Sequence, residues 1–316
     1  MHDIIILGQG ALALFAARKA LMKGEKALVI GEGVPFDRFL LLHENALRRL
    51  ERVFGAAPGH PLTGVKVLNR HLEPLKFLSF ADYGLRLHAM RYSALLEWMR
   101  PWHEAETITA RVAALDGEGR VRLADGRTFS ARKMVINTIA AFNRPRLRFR
   151  HRKVFRMRFL QTDVAQDAVL QINDAGCYAA IVPFGDEAAV VSSGDETPLR
   201  ALLGESVMKT PAMELHLETW CGLIMRQGRV VHVGEAFRRV HPHTGQGLNR
   251  ALDTIDALLE GRGLGRERLY DCLMWAGGIA LDLSWGVSPF LRDAIFSLLD
   301  TRIGMRLLSG TAFWHD

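Results

Sequence analysis

Residues 3–7, Asp-Ile-Ile-Ile-Leu, open on an unbroken apolar run, the pattern of a strand buried on both faces of a parallel sheet. Gly8 to Gly10 supply a turn, and Ala11 to Met22 carry apolar residues at helical spacing. Lys26 to Ile30 (KALVI) then read as a second strand, closing a βαβ unit of ordinary length. Segment 37–54 (DRFLLLHENALRRLERVF) has helical periodicity after a polar start and is expected to be a helix. From 64 to 90 the pattern breaks into short mixed strands, and Tyr92 to Arg100 turns helical again. The stretch ARVAALDGEGRVRLADGRTFSARKMVINT alternates between DGEG and ADGR turns, as a meander or pair of hairpins does. Strands continue to about Ser193, with Gly185-Asp186 as a turn. Helical patterning returns after Thr197, a strand follows at 229–233, and the tail from 266 is mostly helical and apolar.

One strand stands apart. From Arg144 to Arg158 the chain reads RPRLRFRHRKVFRMR, with arginine at every even position from 144 to 152 and Leu147, Phe149, Phe155 and Met157 at odd ones. That period of two predicts a strand with a basic and an apolar face. The basic face is open to three readings: a solvated sheet surface, a site for an anionic partner, or contact with an acidic membrane. Nucleic acid is not expected, because no aromatic platform or recognition motif accompanies the arginines.

A chain of 316 residues, 49% hydrophobic and 24% charged, has ordinary globular composition, with room for one large α/β unit or two domains. The net charge is +7. Cys177, Cys221 and Cys272 are far apart and odd in number, so no disulfide framework or zinc spacing follows, and a reducing cytoplasm is expected. No signal peptide is read at the start, and no apolar stretch is long enough for a membrane span.

Two glycine loops carry the candidate chemistry. Gly8-Gln9-Gly10-Ala11-Leu12-Ala13 follows a strand and opens a helix, the setting in which such a loop binds a dinucleotide. Gly8 allows the tight turn. Gly10 lets a pyrophosphate approach backbone N–H groups and the positive helix end, and Ala13 stands in for a third glycine. Glu32, at the end of the second strand, is placed to accept hydrogen bonds from a ribose. Far along the chain, VVHVGEAFRRVHPHTGQGLNRALDTIDALL (230–259) repeats the theme: a strand, a Gly-rich loop and an amphipathic helix. Two such loops suggest one elongated ligand held at both ends. His232, His241 and His243 lie near Glu235, but their positions on a strand and around a proline predict no metal site.

Pro242-His243-Thr244-Gly245-Gln246-Gly247-Leu248-Asn249 resembles the P-x-x-G-Q-G-x-N segment of FAD-dependent aromatic hydroxylases, the group A flavoprotein monooxygenases. Within that superfamily it looks most like the ubiquinone-biosynthesis hydroxylases. Asp37-Arg38 resembles the family's D-x-R region, Arg91 with Leu95 its R-x-x-x-L helix start, and YAAIVPFGDEAAVVSS its sheet strand and turn. The apolar tail GVSPFLRDAIFSLLDTRIGMRLL resembles its C-terminal helices. The resemblance implies an α/β fold: a Rossmann-like FAD-binding domain with a β-rich substrate domain and C-terminal helices. The expected division gives 1–64, 88–146 and 226–265 to the FAD domain, 65–87 and 147–225 to the substrate domain, and 266–316 to the helical segment.

The resemblance also implies roles. Gly245, Gln246 and Gly247 would sit at the pyrimidine edge of the flavin, where backbone N–H groups and the helix dipole stabilise negative charge. Pro242 would lie beside the reacting ring face, and these four are the expected catalytic positions. The cofactor-binding set is Gly8, Gly10, Ala11, Leu12, Ala13, Glu32, Gly33, Arg38, Arg91, Val112, Gly234, Glu235 and the 242–249 positions Pro242, Gly245, Gln246, Gly247, Leu248 and Asn249. Arg38 would stand near the cofactor's mouth, Arg91 near its phosphate and ribityl region, and Asn249 at the flavin edge. NADPH or NADH would be the transient reductant and an aromatic or lipophilic molecule the substrate. The expected location is cytoplasmic, with association to the inner membrane or a biosynthetic complex.

The sequence departs from the family in places. Gly234-Glu235 replaces Gly-Asp, Phe237-Arg238 replaces Ala-His, and KMVINTIAAFNRPR offers Asn137 with no Asp-Gly pair. Segment 195–229 is also short. These departures keep two alternatives open: a flavoprotein that does not hydroxylate, acting as a dehydrogenase or cyclase, or a degenerate flavin-binding partner subunit.

Overall fold

The computed structural model describes residues 2–33, 37–56, 58–143, 145–162, 164–174, 177–205, 209–240, 246–284 and 301. The first unit begins with β1 (His2–Leu7), α1 (Ala11–Met22) and β2 (Ala27–Gly31). β1 lies between β2 and β11 (Thr128–Asn137), parallel to both, so Ile6 is flanked by Val29 and Ile136. The parallel sheet is extended by β8 (Glu106–Thr109) beside β2 and β18 (Val230–His232) beside β11. The short β17 (Arg226–Gln227) adds an antiparallel edge.

Why the opening run is apolar throughout follows from its two neighbours. Ile4 and Ile6 join the core under α1, α2 (Glu44–Phe54), α3 (Tyr92–Met99) and α5 (Gln246–Leu259). Ile5 and Leu7 face the opposite way, into a second cluster with Val112, Val121 and Leu123. Those last residues belong to β9 (Val112–Leu115) and β10 (Arg120–Leu123), the meander predicted around the DGEG turn. β2 splits in the same manner, Val29 toward the helices and Leu28 and Ile30 toward the meander. Period two with two buried faces leaves no place for a polar residue from Ile4 to Leu7.

The expected helix over 37–54 is corrected. Residues Phe39–His43 form β3, antiparallel to β7 (Leu87–Arg91), with Phe39 opposite Arg91 and His43 opposite Leu87. β4 (His60–Leu62) completes this small sheet. The strand wins because both its ends are anchored. The Tyr92 N–H donates to Arg38 C=O at 2.7 Å, and the His43 N–H donates to Oδ1 of buried Asn249 at 2.9 Å. Helix α2 starts only at Glu44, whose carboxylate binds Arg48 and Arg86.

A second sheet runs β19 (Arg238–Arg239), β16 (Met213–Gly222), β12 (Arg146–Gln161), β15 (Glu187–Gly194), β14 (Cys177–Pro183), β13 (Ala168–Asp174), β5 (Gly64–Leu68) and β6 (Pro74–Ser79). All its pairs are antiparallel except β13 with β5. Helix α4 (Thr197–Leu203) packs Leu199 against one face; Phe155, Tyr178, Ala180 and Leu217 cluster on the other. The basic strand is β12, an interior strand between β16 and β15. Arg148 meets Glu218 at 3.6 Å, and Arg156 and Arg158 meet Glu196 at 3.7 and 3.1 Å; Arg144 lies outside the described residues. Helix α6 (Gly265–Ser284) is the part of the expected helical tail that is described.

Buried ions fix α5 to the first unit, and α6 to α5 and the second sheet. Arg49 of α2 reaches Asp253 and Asp256 of α5 at 2.9 and 3.0 Å, and Lys19 of α1 reaches Asp256 at 2.7 Å. Asp271 of α6 lies 3.3 Å from Arg238 and 3.6 Å from Arg250. Burial pushes the Asp253 carboxyl up to about 6 despite the nearby Arg49 and Arg250.

Two-faced burial of β1 sets a direct test. Ile5→Ala and Ile6→Ala should each lower stability to urea by about 2–5 kcal/mol, although their side chains point in opposite directions. A cost under about 0.5 kcal/mol at Ile5, the size of a surface change, would show that the meander does not cover that face.

Candidate functional site

The first glycine loop is shaped by contacts no side chain could share. Gly8 has φ +117°, in the region that favours glycine, and a Cβ there would lie 2.2 Å from Thr138 Oγ1. The Thr138 hydroxyl itself donates to Leu7 C=O at 2.6 Å. Gly31, at the end of β2, would bring a Cβ to 2.9 Å from the Gly8 backbone. Gly10 precedes α1, and the Cβ it lacks would meet the Tyr92 hydroxyl at 2.4 Å. That hydroxyl accepts the Ala11 N–H at 2.9 Å. Leu12, next in the first turn, carries one of the helix-start N–H groups that have no intrahelical acceptor. Ala13 is fully buried against the core, as expected of a small residue where helix and strand pack.

Beside this loop a cleft of about 520 Å³ opens between β2, β8 and α3, lined by Gln9, Val29, Gly33, Asp37, Tyr92, Ser93, Arg100, His103 and Thr107 among others. Gln9 reaches across to Thr109 Oγ1 at 3.2 Å. Glu32 and Gly33 are both exposed at the end of β2, and Gly33 lines the cleft.

A charged network borders the cleft. Asp37 accepts the Ser93 N–H at 2.9 Å, the Ser93 hydroxyl at 2.8 Å and the Arg38 N–H at 2.9 Å. Burial works to raise its carboxyl, but the Ser93 bonds, with those from Arg38 and Arg91, hold it below its ordinary value. Arg91 forms a forked pair with Glu187 of β15 at 2.7 and 2.9 Å, lies 4.1 Å over the Phe159 ring and reaches Asp37 at 3.4 Å. The hydrogen bonds it donates to Glu187 raise the guanidinium above its ordinary value. It therefore ties the cleft to the second sheet. Arg38 stacks 4.7 Å over the Tyr92 ring and pairs with Glu235 at 3.1 Å.

Glu235 belongs to the second glycine segment. Gly234, at φ +60°, starts a single 3-10 turn, and a Cβ on it would lie 2.4 Å from Leu12 Cδ1. The two segments thus meet: Leu12 of the first loop packs on Gly234 of the second. Trp220 Nε1 holds the turn by donating to Glu235 C=O at 2.8 Å. Pro242 and Gly245, with His241, His243 and Thr244, lie outside the described residues. Gln246 begins α5, followed in its first turn by Gly247, Leu248 and Asn249. Asn249 is buried and braces β3, accepting from His43 N–H and donating to Leu41 C=O at 3.1 Å. Val112 begins β9, with its side chain in the core under the meander.

At the ends of the neighbouring strands β11 and β18, Asn137 and His232 are register partners. The Asn137 amide donates to His232 Nδ1 at 2.8 Å and bonds Ile139 through both its N–H and its C=O. That contact puts the ring proton on Nε2, and burial lowers the imidazole to about 4. Among the described residues no His, Cys, Asp and Glu group could hold a metal ion.

Tyr92, Ser93, Thr138, Glu187 and Trp220 were not legible as site residues. Each acts through a partner far away in sequence; only Tyr92 had a local signal, following Arg91 at a helix start.

No family model matches the chain, and no curated protein does. Solved structures do share its fold. The p-nitrophenol 4-monooxygenase PnpA from Pseudomonas putida DLL-E4 superposes with a TM-score of 0.78 at 14% identity, covering 99% of this chain and 96% of that one. The tetrameric form of 2-methyl-3-hydroxypyridine-5-carboxylic acid oxygenase gives 0.73 at 16% identity, covering 98% and 96%. PqsL, a probable FAD-dependent monooxygenase from Pseudomonas aeruginosa, gives 0.68 at 17% identity, covering 99% of each. The mixed α/β fold expected from the sequence is therefore the fold of these oxygenase structures.

His232 supplies a pH test with a defined sign. Its folded value of about 4 lies below the ordinary 6.5, so below pH 6.5 the unfolded chain takes a proton that the folded one refuses, and stability falls with pH. Between pH 7 and pH 5 this one group should remove about 2 kcal/mol, at roughly 1.4 kcal/mol per unit below 6.5. The loss measured in urea should be smaller by that amount in His232→Gln. Equal losses in the two proteins would mean that His232 titrates normally.

Proposed function

We propose that the chain binds FAD and acts as a flavin-dependent monooxygenase, hydroxylating an aromatic or lipophilic small molecule with O2 and NADPH or NADH. The observation that carries this reading is the meeting of Leu12 and Gly234, which turns two distant glycine segments into one site, in a fold shared with oxygenases. The residues present suit the cofactor. The cleft of about 520 Å³ at the end of β2 is within the size range of small-molecule sites. Gly8 and Gly10 keep side chains off the helix start, where backbone N–H groups favour a pyrophosphate.

Gly8, Gly10, Ala11, Leu12 and Ala13 would hold the pyrophosphate, with Tyr92 taking the Ala11 N–H and leaving that of Leu12 to the ligand. Glu32 and Gly33 would serve the ribose beside the cleft. Arg38 and Glu235, paired at 3.1 Å, would border the ribityl chain, with Arg91 behind them. The start of α5, from Gln246 to Asn249 after Pro242 and Gly245, would direct N–H groups and the helix dipole at the ring edge, where negative charge develops. Asn249 serves this geometry by bracing that helix start on β3. When bound, the flavin supplies hydride acceptance and oxygen chemistry; the protein supplies orientation and exclusion of water. The nearest group of relatives in function would be ubiquinone-biosynthesis hydroxylase-like proteins. The expected partners are a small-molecule substrate, no nucleic acid, and peripheral association with the inner membrane or a biosynthetic complex from the cytoplasmic side. Among the described residues no helix is long and apolar enough to cross a membrane.

A second reading, a flavoprotein that does not hydroxylate or a flavin-binding partner subunit, is favoured by one feature. Asn137, bonded to His232, ends β11 in the segment where the family has an Asp-Gly pair.

Purification should yield a yellow protein with oxidised-flavin absorption, bleached by NADPH or NADH without oxygen. Gly10→Val should weaken FAD binding at least about tenfold, near 1.4 kcal/mol. A colourless protein that FAD cannot reconstitute would sink both readings, and a yellow protein that neither nicotinamide reduces would leave the second.

A further inference from the structure

No two cysteines are spaced as a recognisable pair along the chain, yet the fold brings Cys221, at the end of β16, and Cys272, on α6, to an Sγ–Sγ distance of 3.2 Å. We propose that these two thiols form a reversible disulfide that covalently fastens α6 to the second sheet. An S–S bond is about 2.05 Å long, so the sulfurs need approach by only about 1 Å. Their settings differ in a way that suits two sequential steps. Cys221 is 3% exposed, whereas Cys272 is partly exposed next to Leu273, which is 56% exposed. The outer thiol therefore meets an oxidant first and the inner one resolves it, the usual order for a redox-sensitive pair.

With hydrogen peroxide as the oxidant the chemistry balances. The Cys272 thiolate attacks one peroxide oxygen, the O–O bond breaks, and a sulfenic acid and hydroxide result. The Cys221 sulfur then attacks the sulfenic sulfur, the S–O bond breaks, and a second hydroxide leaves. The two thiol protons convert both hydroxides to water. Two thiols lose two electrons, and one peroxide becomes two waters.

The position gives the bond a consequence. In the reduced chain α6 is attached by the buried Asp271–Arg238 and Asp271–Arg250 pairs and by Arg268, which donates to Leu223 C=O at 2.8 Å. Buried ion pairs are weak contributors to stability, and Arg238 has Nε and Nη1 buried without a hydrogen-bond partner among the described residues. The disulfide would close a ring from 221 to 272 that contains β18, the Gly234 turn and all of α5. Oxidation would hold the whole second glycine segment against opening. The inference rests on the thiol geometry and stands whether or not the cofactor reading does.

The test uses the full chain as purified, treated with hydrogen peroxide, alkylated and digested for mass spectrometry. The expected result is a linked Cys221–Cys272 peptide pair, two hydrogens lighter and released by dithiothreitol. Cys177, buried in the second sheet with its thiol pushed up to about 11 by burial, stays alkylatable. The melting temperature should rise on the order of 5 °C on oxidation, as closing a ring of this length implies, and Cys272→Ser should abolish the rise. The mass measurement on the unmodified sequence does not depend on how that variant folds. Full alkylation of Cys221 after peroxide, Cys272 ending as an unlinked sulfinic acid, or a link through Cys177 would each overturn the proposal.

Discussion

The structure turns on the contact between Leu12 and Gly234. A Cβ at position 234 would lie 2.4 Å from Leu12 Cδ1, and the backbone there has φ +60°. Both space and conformation therefore demand glycine. Through this contact the start of α1 and the turn after β18 become one surface, although the full length of both sheets separates them in sequence. Register prepares the meeting: β1 and β18 flank β11 as parallel neighbours, so their C-terminal ends emerge on the same edge. Ligands of open parallel sheets bind outside that edge.

Charge then joins this edge to the second sheet. Arg91 pairs with Glu187 and Asp37, and Arg38 pairs with Glu235. These side chains are only part-buried, so their energetic weight is modest. Their geometric weight is larger, because forked guanidinium–carboxylate contacts and ring stacking fix orientation. Arg91 was expected near a phosphate and ribityl chain. In this structure its guanidinium lies against Glu187, Asp37 and Phe159, which makes it the link between the cleft and the second sheet.

How much could be read beforehand depended on the range of the interaction. Strand β1, helix α1, strand β2, the meander and the first glycine loop were legible because burial on two faces and tight turns leave local patterns. Residues 39–43 misled, because an apolar run before a true helix is also compatible with helical spacing. What made it a strand was pairing with β7 and the Asn249 brace, neither of which is local. Glu187 meeting Arg91 was invisible for the same reason, as was the proximity of Cys221 and Cys272, while Tyr92 left only its place after Arg91 at a helix start. Burial of His232 beside Asn137 is likewise a property of strand register, which no short motif records.

The central claim is that the two glycine segments form a single cofactor site. Hydrogen–deuterium exchange of the full chain, with and without added FAD, tests it most directly. The account predicts that amides in 9–13 and in 246–249 slow together on FAD addition, with the 234–236 turn. Slowing at one segment while the other exchanges unchanged, in a sample that binds FAD, would contradict it.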